Sequence, residues 1–253
     1  MRNRIRDLTL YGGKDPRNLP IYTTDEAARI LCLPISTLKA WTSAKLWHGG
    51  PSGKVRVRNP LIIPPDNPGQ LILSFTNLIE AHILHAIRRV HRIKISKARE
   101  AMNAIREEFE SLHPLADVDL CAEGKSVVVK YGTYVNVSAA KLREMEGAIK
   151  IYVKRIERDK AGIACFYPFV SEPRIEGLGI EEQPRLVCVD PFVSFGRPVI
   201  AGTNIRTEMV AERWWAGDSM EELAEDYQLD KDLIEAALRY ESTRAQHTVR
   251  AAA

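Results

Sequence analysis

The sequence is short of paired cysteines and of long apolar runs, and each shortage removes a class of protein. Its four cysteines lie far apart and form no Cys-x-x-Cys pair, so neighbouring residues cannot build a zinc ribbon or a redox motif. No segment approaches the ~18 apolar residues that a membrane-spanning helix needs, and the basic start lacks the apolar stretch of a signal peptide. We therefore expect a cytoplasmic protein that is not bound to a membrane and holds no metal ion or cofactor.

The sequence also lacks the residue groupings on which most enzymes depend. It contains no recognisable Ser/His/Asp or Cys/His arrangement and no carboxylate pair at helical spacing beside an apolar pocket. The segment GRPVIAGTNIRT, residues 196–207, differs from a phosphate-binding loop because five residues separate its glycines, no lysine follows the second, and Pro198 has no N–H to donate. We expect no catalytic residues and interpret this segment as a tight hairpin whose glycines adopt positive φ angles.

Charge is distributed unevenly along the 253 residues, although the net charge is only +3. Residues 1–60 carry 11 Lys and Arg against 4 Asp and Glu, whereas residues 207–241 carry 3 against 11. The first segment therefore has a net charge of +7, which suits a polyanion such as DNA, and the second has a net charge of −8, which would repel one. This contrast predicts different partners for the two ends.

Residues 22–47 have the pattern of a helix-turn-helix. Thr23 and Glu26 form a capping-box pair that starts a first helix, and after a very short turn Pro34 is tolerated at the start of a second helix. Apolar residues at three-residue spacing mark the buried side of the second helix, and the outward residues are small or basic, which suits contact with base edges and phosphates. The candidate DNA-binding residues of this segment are Ser36, Thr37, Lys39 and Lys45.

A basic segment after the second helix resembles the wing of a winged helix-turn-helix. Lys54, Arg56 and Arg58 alternate with valines, and the two-residue period of a strand places all three cations on one face. We expect residues 71–75, LILSF, to supply the returning strand. Together with the helix pair, this segment predicts a DNA-binding head over residues 1–92 that looks like that of the MerR-like group. A solvated amphipathic hairpin without a binding role is the alternative.

The middle of the chain, residues 93–175, is expected to support dimerisation or to hold a partner. The helix that leads into it carries His82 on its apolar face, where a histidine is more often a buried core residue than a ligand. Two further amphipathic helices are predicted, the later of which continues through Ile156, with a β-meander over residues 118–138 between them. Arg88 and the cations after it either extend the phosphate-contacting surface or stabilise the end of their helix.

A segment rich in Pro, Gly and Glu precedes a C-terminal unit over residues 186–241. In this unit a strand and the hairpin described above are followed by three short helices, a topology again like that of a helix-turn-helix. We expect Thr207 to cap the first of these helices, and Ser219 with Glu222 to form a capping box on the second. The residues that the first helix is expected to bury are Met209, Val210 and Trp214.

Residues 189–241 resemble a small trihelical domain of unknown function that is associated with antitoxins. The shared pattern is D-P-x-x-x-x-G-x-P-x-I-x-G-T-x-I, followed by G-x-S/T-x-E-E and by I-x-x-A-L-x-Y. It is matched at Asp190, Pro191, Gly196, Pro198, Ile200, Gly202, Thr203, Ile205, Gly217, Glu222, Ile234, Ala237, Leu238 and Tyr240. Chains that join this domain to a MerR-like head resemble VapB-type antitoxins, whose partners are PIN-domain ribonuclease toxins.

The resemblance implies an antitoxin that binds a PIN-domain ribonuclease and represses its own operon as a homodimer. Because the acidic unit gains little from phosphate contacts, we assign DNA to the head and the protein partner to the C-terminal unit. Trp214 and Trp215 cannot both face one helix core, so one is expected at the surface unless both pack against the hairpin. The candidate partner-binding residues are Trp215, Glu221 and Glu225.

The predicted fold class is mainly α with small β elements: a winged helix-turn-helix, central helices with a β-meander, and a hairpin followed by three helices. The alternative function is a stand-alone MerR-like transcriptional regulator with no toxin, whose middle part senses a small effector. The scattered cysteines argue against a metal-sensing version. An enzyme is the weakest interpretation, and no polyacidic PIN site is recognisable, so the chain is not read as the nuclease itself.

Overall fold

The computed structural model describes residues 8–48, 55–90, 94–117, 131–136, 138–169 and 184–252, of which only the backbone is described at 45–48, 55–58, 89–90, 141 and 246–252. The protein is mainly α with small antiparallel β pairs and an N-terminal helix-turn-helix, which confirms the predicted fold class. Within the described ranges, no helix is both long and apolar enough to cross a membrane.

The secondary-structure elements are short except for a few central and C-terminal helices. The helices are α1 (Thr24–Ile30), α2 (Ile35–Thr42), α3 (Phe75–Val90), α4 (Ile95–Glu108), α5 (Pro114–Asp117), α6 (Ala139–Val153), α7 (Thr207–Ala216), α8 (Met220–Tyr227) and α9 (Lys231–Ala252). The strands are β1 (Tyr22–Thr23), β2 (Lys45–His48), β3 (Val55–Arg58), β4 (Ile72–Leu73), β5 (Ile156–Asp159), β6 (Gly162–Phe166), β7 (Val187–Cys188) and β8 (Val199–Ile200).

The strands of the head pair differently from the prediction. Strand β3 forms a hairpin with β2, the strand directly before it, rather than with residues 71–75. Part of that segment, β4, pairs instead with β1 at the start of the helix-turn-helix. The prediction of the returning strand was therefore wrong, because β2 is the nearer partner and needs only a short connection, which costs less loop entropy.

One hydrophobic core joins the head to the middle of the chain. Helix α3 lies at its centre and packs against α5 and α6, and buried residues of α1, α2 and α4 belong to the same core. His82 is buried on α3, as predicted, and its Nε2 donates a hydrogen bond to the Tyr152 carbonyl oxygen at 3.0 Å. Burial lowers the pKa of His82 to about 3, so the ring is neutral in the folded protein.

The middle contains a β-hairpin that was not predicted from the sequence. It also lacks part of the predicted β-meander. Residues 118–130 of the predicted meander lie outside the described residues, and residues 131–134 are helical. Helix α6 ends at Val153, and Ile156 begins β5, which pairs with β6 around a turn at residues 160–161. Half-buried and exposed residues alternate in β5 with the two-residue period of a strand. Because the strand has only four residues, this period could not be told apart from the helical spacing of the apolar residues before it.

The C-terminal unit has a small core of its own. Strands β7 and β8 pair antiparallel, and Ile200, Val210, Leu223, Ile234 and Ala237 are buried together between them and helices α7 to α9. The capping box predicted on α8 is confirmed, since Ser219 Oγ accepts from the Glu222 N–H and the Glu222 carboxylate accepts from the Ser219 N–H.

Three expectations about α7 were wrong. Thr207 is not a capping residue: it is the first residue of the helix, it is fully buried, and its hydroxyl hydrogen-bonds to the Glu241 carboxylate of α9. Met209 and Trp214 are exposed rather than buried. The helix is only 10 residues long, so its inner face is filled by Thr207, Val210 and Ala211, and the core ends before the last turn.

Candidate DNA-binding and partner-binding surfaces

The helix-turn-helix is built from local signals that the structure bears out. Thr23 Oγ1 accepts from the Glu26 N–H at 3.2 Å, and the Glu26 carboxylate accepts from the Thr23 N–H at 2.9 Å, which closes the capping box of α1. Cys32 adopts a left-handed φ of 52° in the turn, and Pro34 is the N-cap of α2. These features place the second helix directly after the first with no room for a longer loop.

Helix α2 has a buried face and an open face. Leu38 and Trp41 are buried in the core, whereas Ser36 and Lys39 are exposed and Thr37 is half-buried. The three candidate DNA-binding residues of this helix therefore lie on its accessible side, as contact with a major groove requires.

A residue that sequence reasoning missed fixes the end of this helix. Arg99 of α4 is buried, and its guanidinium donates to the carbonyl oxygens of Ala40 at 2.8 Å and Ser43 at 3.3 Å. The last carbonyls of a helix have no partner within the helix, so a cation here both satisfies them and complements the helix dipole. Arg99 thus orients the surface that carries Lys39, and no local pattern could have paired residues on two distant helices.

The wing hairpin, β2 with β3, brings Lys45, Arg56 and Arg58 together along the backbone. Lys45 is paired with Arg58, and Trp47 is paired with Arg56. Lys54 and the side chains of this hairpin lie outside the described residues, so their contact with DNA stays a prediction. The Arg88 guanidinium lies 5.9 Å from the centroid of the Trp41 ring of α2, and Lys94 and Lys97 are exposed.

The candidate partner-binding residues are accessible, Trp215 on α7 and Glu221 and Glu225 on α8. Trp215 is 61% exposed and Trp214 is 40% exposed, so the alternative in which both pack against the hairpin is wrong. Glu221 and Glu225 are exposed. A hydrogen bond and an ion pair from Lys231 lower the pKa of Glu221, which keeps this carboxylate charged.

The first glycine of the 196–207 segment is where the C-terminal unit meets the head. The Tyr22 hydroxyl, fully buried, donates to the Gly196 carbonyl oxygen at 2.8 Å. Gly196 has a φ of +73°, and a Cβ atom there would overlap the Tyr22 hydroxyl oxygen. Gly202 also has a positive φ, of +84°, but a Cβ atom there would meet nothing within 4 Å. The expectation of glycine geometry is confirmed, and Gly196 serves close approach as well.

An ion pair next to this contact ties the same two parts together. Arg197 binds the Glu26 carboxylate, whose other oxygen already caps α1. Burial opposes ionisation of Glu26, but the hydrogen bonds from Arg197 and Thr23 outweigh it and lower its pKa. Nearby, the Tyr11 hydroxyl donates to the Pro191 carbonyl oxygen at 3.0 Å. We call the contacts of Tyr22, Glu26 and Tyr11 with residues 191–197 the joint.

The last helix continues the joint toward α1. Helix α9 packs against α1 as well as against α7 and α8. Glu241 accepts a hydrogen bond from Thr207 and pairs with Arg244 at 2.7 Å, and Arg244 in turn lies over the buried Tyr240 ring at 5.0 Å.

A cleft of about 210 Å³ opens beside the joint, between α1 of the head and helices α7 and α9. Four arginines and four glutamates line it, and Trp215 stands at its edge. Among the described residues, no three His, Cys, Asp or Glu side chains are grouped so that they could hold a metal ion. The side chains of the cleft can therefore form ion pairs with a bound group and contact it through the aromatic face of Trp215.

Two family models match parts of this chain. Residues 20–102 match a family described as "Putative DNA-binding HTH domain", and residues 187–240 match one described as "Protein of unknown function (DUF433)". The first covers α1, α2, the wing hairpin and α3, and the second covers the hairpin and helices of the C-terminal unit.

Known proteins from Mycobacterium tuberculosis are similar over most of the length. A curated protein of strain ATCC 25618 / H37Rv described as "Putative antitoxin VapB45" is 25% identical over 237 residues, a match that covers 87% of this chain and 93% of the relative. The X-ray crystal structure of Rv2018 has a similar fold, with a TM-score of 0.60 at 20% identity over 87% of this chain and 98% of that one. The resemblance to VapB-type antitoxins is confirmed.

Proposed function

We propose that this chain, in which a DNA-binding helix-turn-helix is joined to a domain of unknown function, is a cytoplasmic antitoxin. It acts by binding and not by catalysis: it holds a PIN-domain ribonuclease toxin inactive and, as a homodimer, represses its own operon. The observation that carries the proposal is the similarity to a protein described as an antitoxin over 87% of this chain and 93% of the relative. The accessible surfaces at the two ends are compatible with it.

The head supplies the contacts with DNA. Ser36, Thr37 and Lys39 enter the major groove from the open face of α2, where small and basic side chains reach base edges and phosphates. The remaining cations bind the phosphate backbone from the wing hairpin and its flank; they are Lys45, Lys54, Arg56 and Arg58. Because α1 is covered by α9 on one side, α2 is the helix left to face the duplex.

The C-terminal unit supplies the contact with the toxin. Its net charge of −8 over residues 207–241 disfavours DNA and favours a basic protein surface. Trp215 is the exposed aromatic anchor, and Glu221 and Glu225 add charge complementarity around it.

The test is to purify the tagged full-length chain from its own host at moderate salt and to identify bound proteins by mass spectrometry. We expect a PIN-domain protein in stoichiometric amount and a shift of the chain's own upstream DNA. A homodimer that binds this DNA without any PIN-domain protein would overturn the antitoxin function and favour the stand-alone regulator.

A further inference from the structure

The cleft beside the joint is lined by charges that form ion pairs and by others that form none, of which Glu208 attracts Arg244 at longer range. Glu26 is paired with Arg197, and Glu241 with Arg244. By contrast, Arg206, Glu208 and Glu212 form no ion pair with any residue that the structure describes. All three side chains are exposed. These three are available to an outside molecule.

The wall of the cleft that α7 forms is suited to a cation. Glu208, Glu212 and Trp215 are exposed and follow one another at four- and three-residue spacing, so they lie on one face of the helix. An indole ring flanked by carboxylates attracts an ammonium or guanidinium group through both its π face and the ion pairs. Trp214, on the same helix, does not line the cleft.

The facing wall offers hydrogen-bond donors and positive charge. Arg29 of α1 lines the cleft and pairs with Asp25 through one terminal nitrogen, and its side chain is 36% exposed. The exposed Arg206, which directly precedes α7, adds a second guanidinium to the lining of the cleft. Donors placed in this way suit the carbonyl oxygens or a carboxylate of a polypeptide.

We propose that this cleft between the two parts of the chain is the docking site of the toxin. A basic segment of the toxin places a Lys or Arg side chain against Glu208, Glu212 and Trp215, while acceptor groups of the same segment bind Arg29 and Arg206. This rests on the proposed function and goes beyond it, because it makes α1 of the DNA-binding head part of the toxin-binding surface. The charges of the whole lining are balanced, so the basic occupant is inferred from the two carboxylates of α7 and from the net charge of −8 over residues 207–241.

The first test compares matched substitutions by affinity for the PIN-domain protein. Trp215→Ala is expected to weaken binding by roughly 30-fold, as loss of a central aromatic anchor does, whereas Trp214→Ala leaves binding within about twofold. Glu208→Gln with Glu212→Gln is expected to weaken binding, and Glu100→Gln with Glu107→Gln, two exposed glutamates of α4, is the control. Equal losses for Trp214→Ala and Trp215→Ala, with unchanged circular dichroism, would overturn the docking site.

The second test places the photoreactive amino acid p-benzoylphenylalanine in the full-length chain in its host. Four separate variants are made, in which it replaces Glu212 on one wall of the cleft, Arg29 on the other wall, Glu225 on α8, or Trp214 as the control. We expect a PIN-domain protein to be cross-linked from positions 212 and 29 but not from 214. Cross-linking of that protein from 225 alone would keep the proposed function and overturn the cleft.

Two further outcomes of this cross-linking test would overturn the docking site. Cross-links from positions 212 and 29 to a second copy of this chain would make the cleft a self-association site and overturn its assignment to the toxin. Absence of any cross-linked PIN-domain protein, together with its absence from the purified complex, would overturn the proposed function and the docking site with it.

Discussion

The chain contains two helix pairs of similar construction, α1 with α2 and α7 with α8, and they present opposite surfaces. Each pair joins its helices through a residue in the left-handed region, Cys32 in the first and Gly217 in the second, and each includes a capping box. The first pair exposes small and basic side chains, and the second exposes tryptophan and glutamate. The two pairs therefore share a scaffold but offer different chemistry to a partner, which depends on their exposed side chains.

The two pairs also differ in what supports them. The first shares a large core with α3, α4 and α6. The second has a core of five fully buried residues, to which half-buried neighbours are added. A core of that size contributes little stability alone, so the second pair depends on the joint with the head. The predictions below test this difference, starting with the largest expected effect.

Gly196→Ala should separate the two parts more effectively than any other single change. The new Cβ overlaps the buried Tyr22 hydroxyl and the residue keeps a positive φ, so we expect a loss of about 3 kcal/mol in the free energy of unfolding, from overpacking and backbone strain together. Chemical denaturation measures this loss. Gly202→Ala is the matched control: it has the strain without the overlap and should cost about 1 kcal/mol.

A second-site change identifies the cause of the effect at Gly196. Tyr22→Phe removes the oxygen that the new Cβ would overlap, so the double variant should regain part of the stability that Gly196→Ala loses, although the ring carbon 3.2 Å away stays close. A double variant that is no more stable than Gly196→Ala alone would attribute the loss to backbone strain and would argue against the joint.

Acid should destabilise the large core of the first pair through His82. Its pKa is lowered to about 3 in the folded protein, below the ~6.5 of an exposed histidine. The unfolded chain therefore binds the proton first, and stability is lost as pH falls from about 6.5 toward 3. Between pH 7 and pH 5 this group alone should cost about 2 kcal/mol in the free energy of unfolding. His82→Gln, measured at both pH values, should be less dependent on pH, and an unchanged dependence would contradict the assignment.

Arg56→Ala with Arg58→Ala should weaken DNA binding by about 2 kcal/mol, from about 1 kcal/mol for each contact with a phosphate in water. The slope of log affinity against log salt should fall in magnitude by about 2, because two fewer counterions are released. Titrations of the chain's upstream DNA at several salt concentrations measure both quantities. Glu221→Gln with Glu225→Gln, in the acidic pair, should leave the slope unchanged. A slope that the arginine changes do not alter would remove the wing hairpin from the DNA interface.

The two capping boxes give the smallest and most direct comparison of the pairs. Thr23→Ala and Ser219→Ala each remove one cap, a change that typically costs about 1 kcal/mol in stability. We expect the larger loss for Thr23→Ala, because Glu26 then loses a hydrogen bond while it also holds Arg197. Denaturation of both variants under one condition measures the difference. A larger loss at Ser219 would show that the cap of α1 does not support the joint.

The parts of the fold that the sequence predicted are those determined by neighbouring residues. The capping boxes at Thr23 and Ser219, the Pro34 helix start and the burial of His82 depend on spacings of a few residues, and each is confirmed. The positive φ angles of the glycines follow in the same way, because few other residues adopt them without strain. The exposed side of α2 was found for the same reason, since helical periodicity separates its two faces.

The parts that were missed depend on contacts between distant residues. The pairing of β3 with β2, the Arg99 bonds to the end of α2, and the contact of Tyr22 with Gly196 each join elements that no sequence pattern relates. The glycine at 196 was explained by its turn alone because nothing in its neighbourhood indicates a tyrosine from 174 residues earlier in the chain. Ser36, Thr37 and Lys39 of α2 and the three candidates of the C-terminal unit are accessible, whereas the side chains of the wing candidates lie outside the described residues. The cleft beside the joint was not foreseen.

Helix α9 is a long helix that connects the small C-terminal core to α1. Its 22 residues make a rod about 33 Å long, which starts in the small C-terminal core and runs along α1. A tilt of about 5° around one end of such a rod displaces the other by about 3 Å, which is comparable to the length of a hydrogen bond. A partner that tilts α9 by this amount would therefore displace its contact with α1, the first helix of the helix-turn-helix.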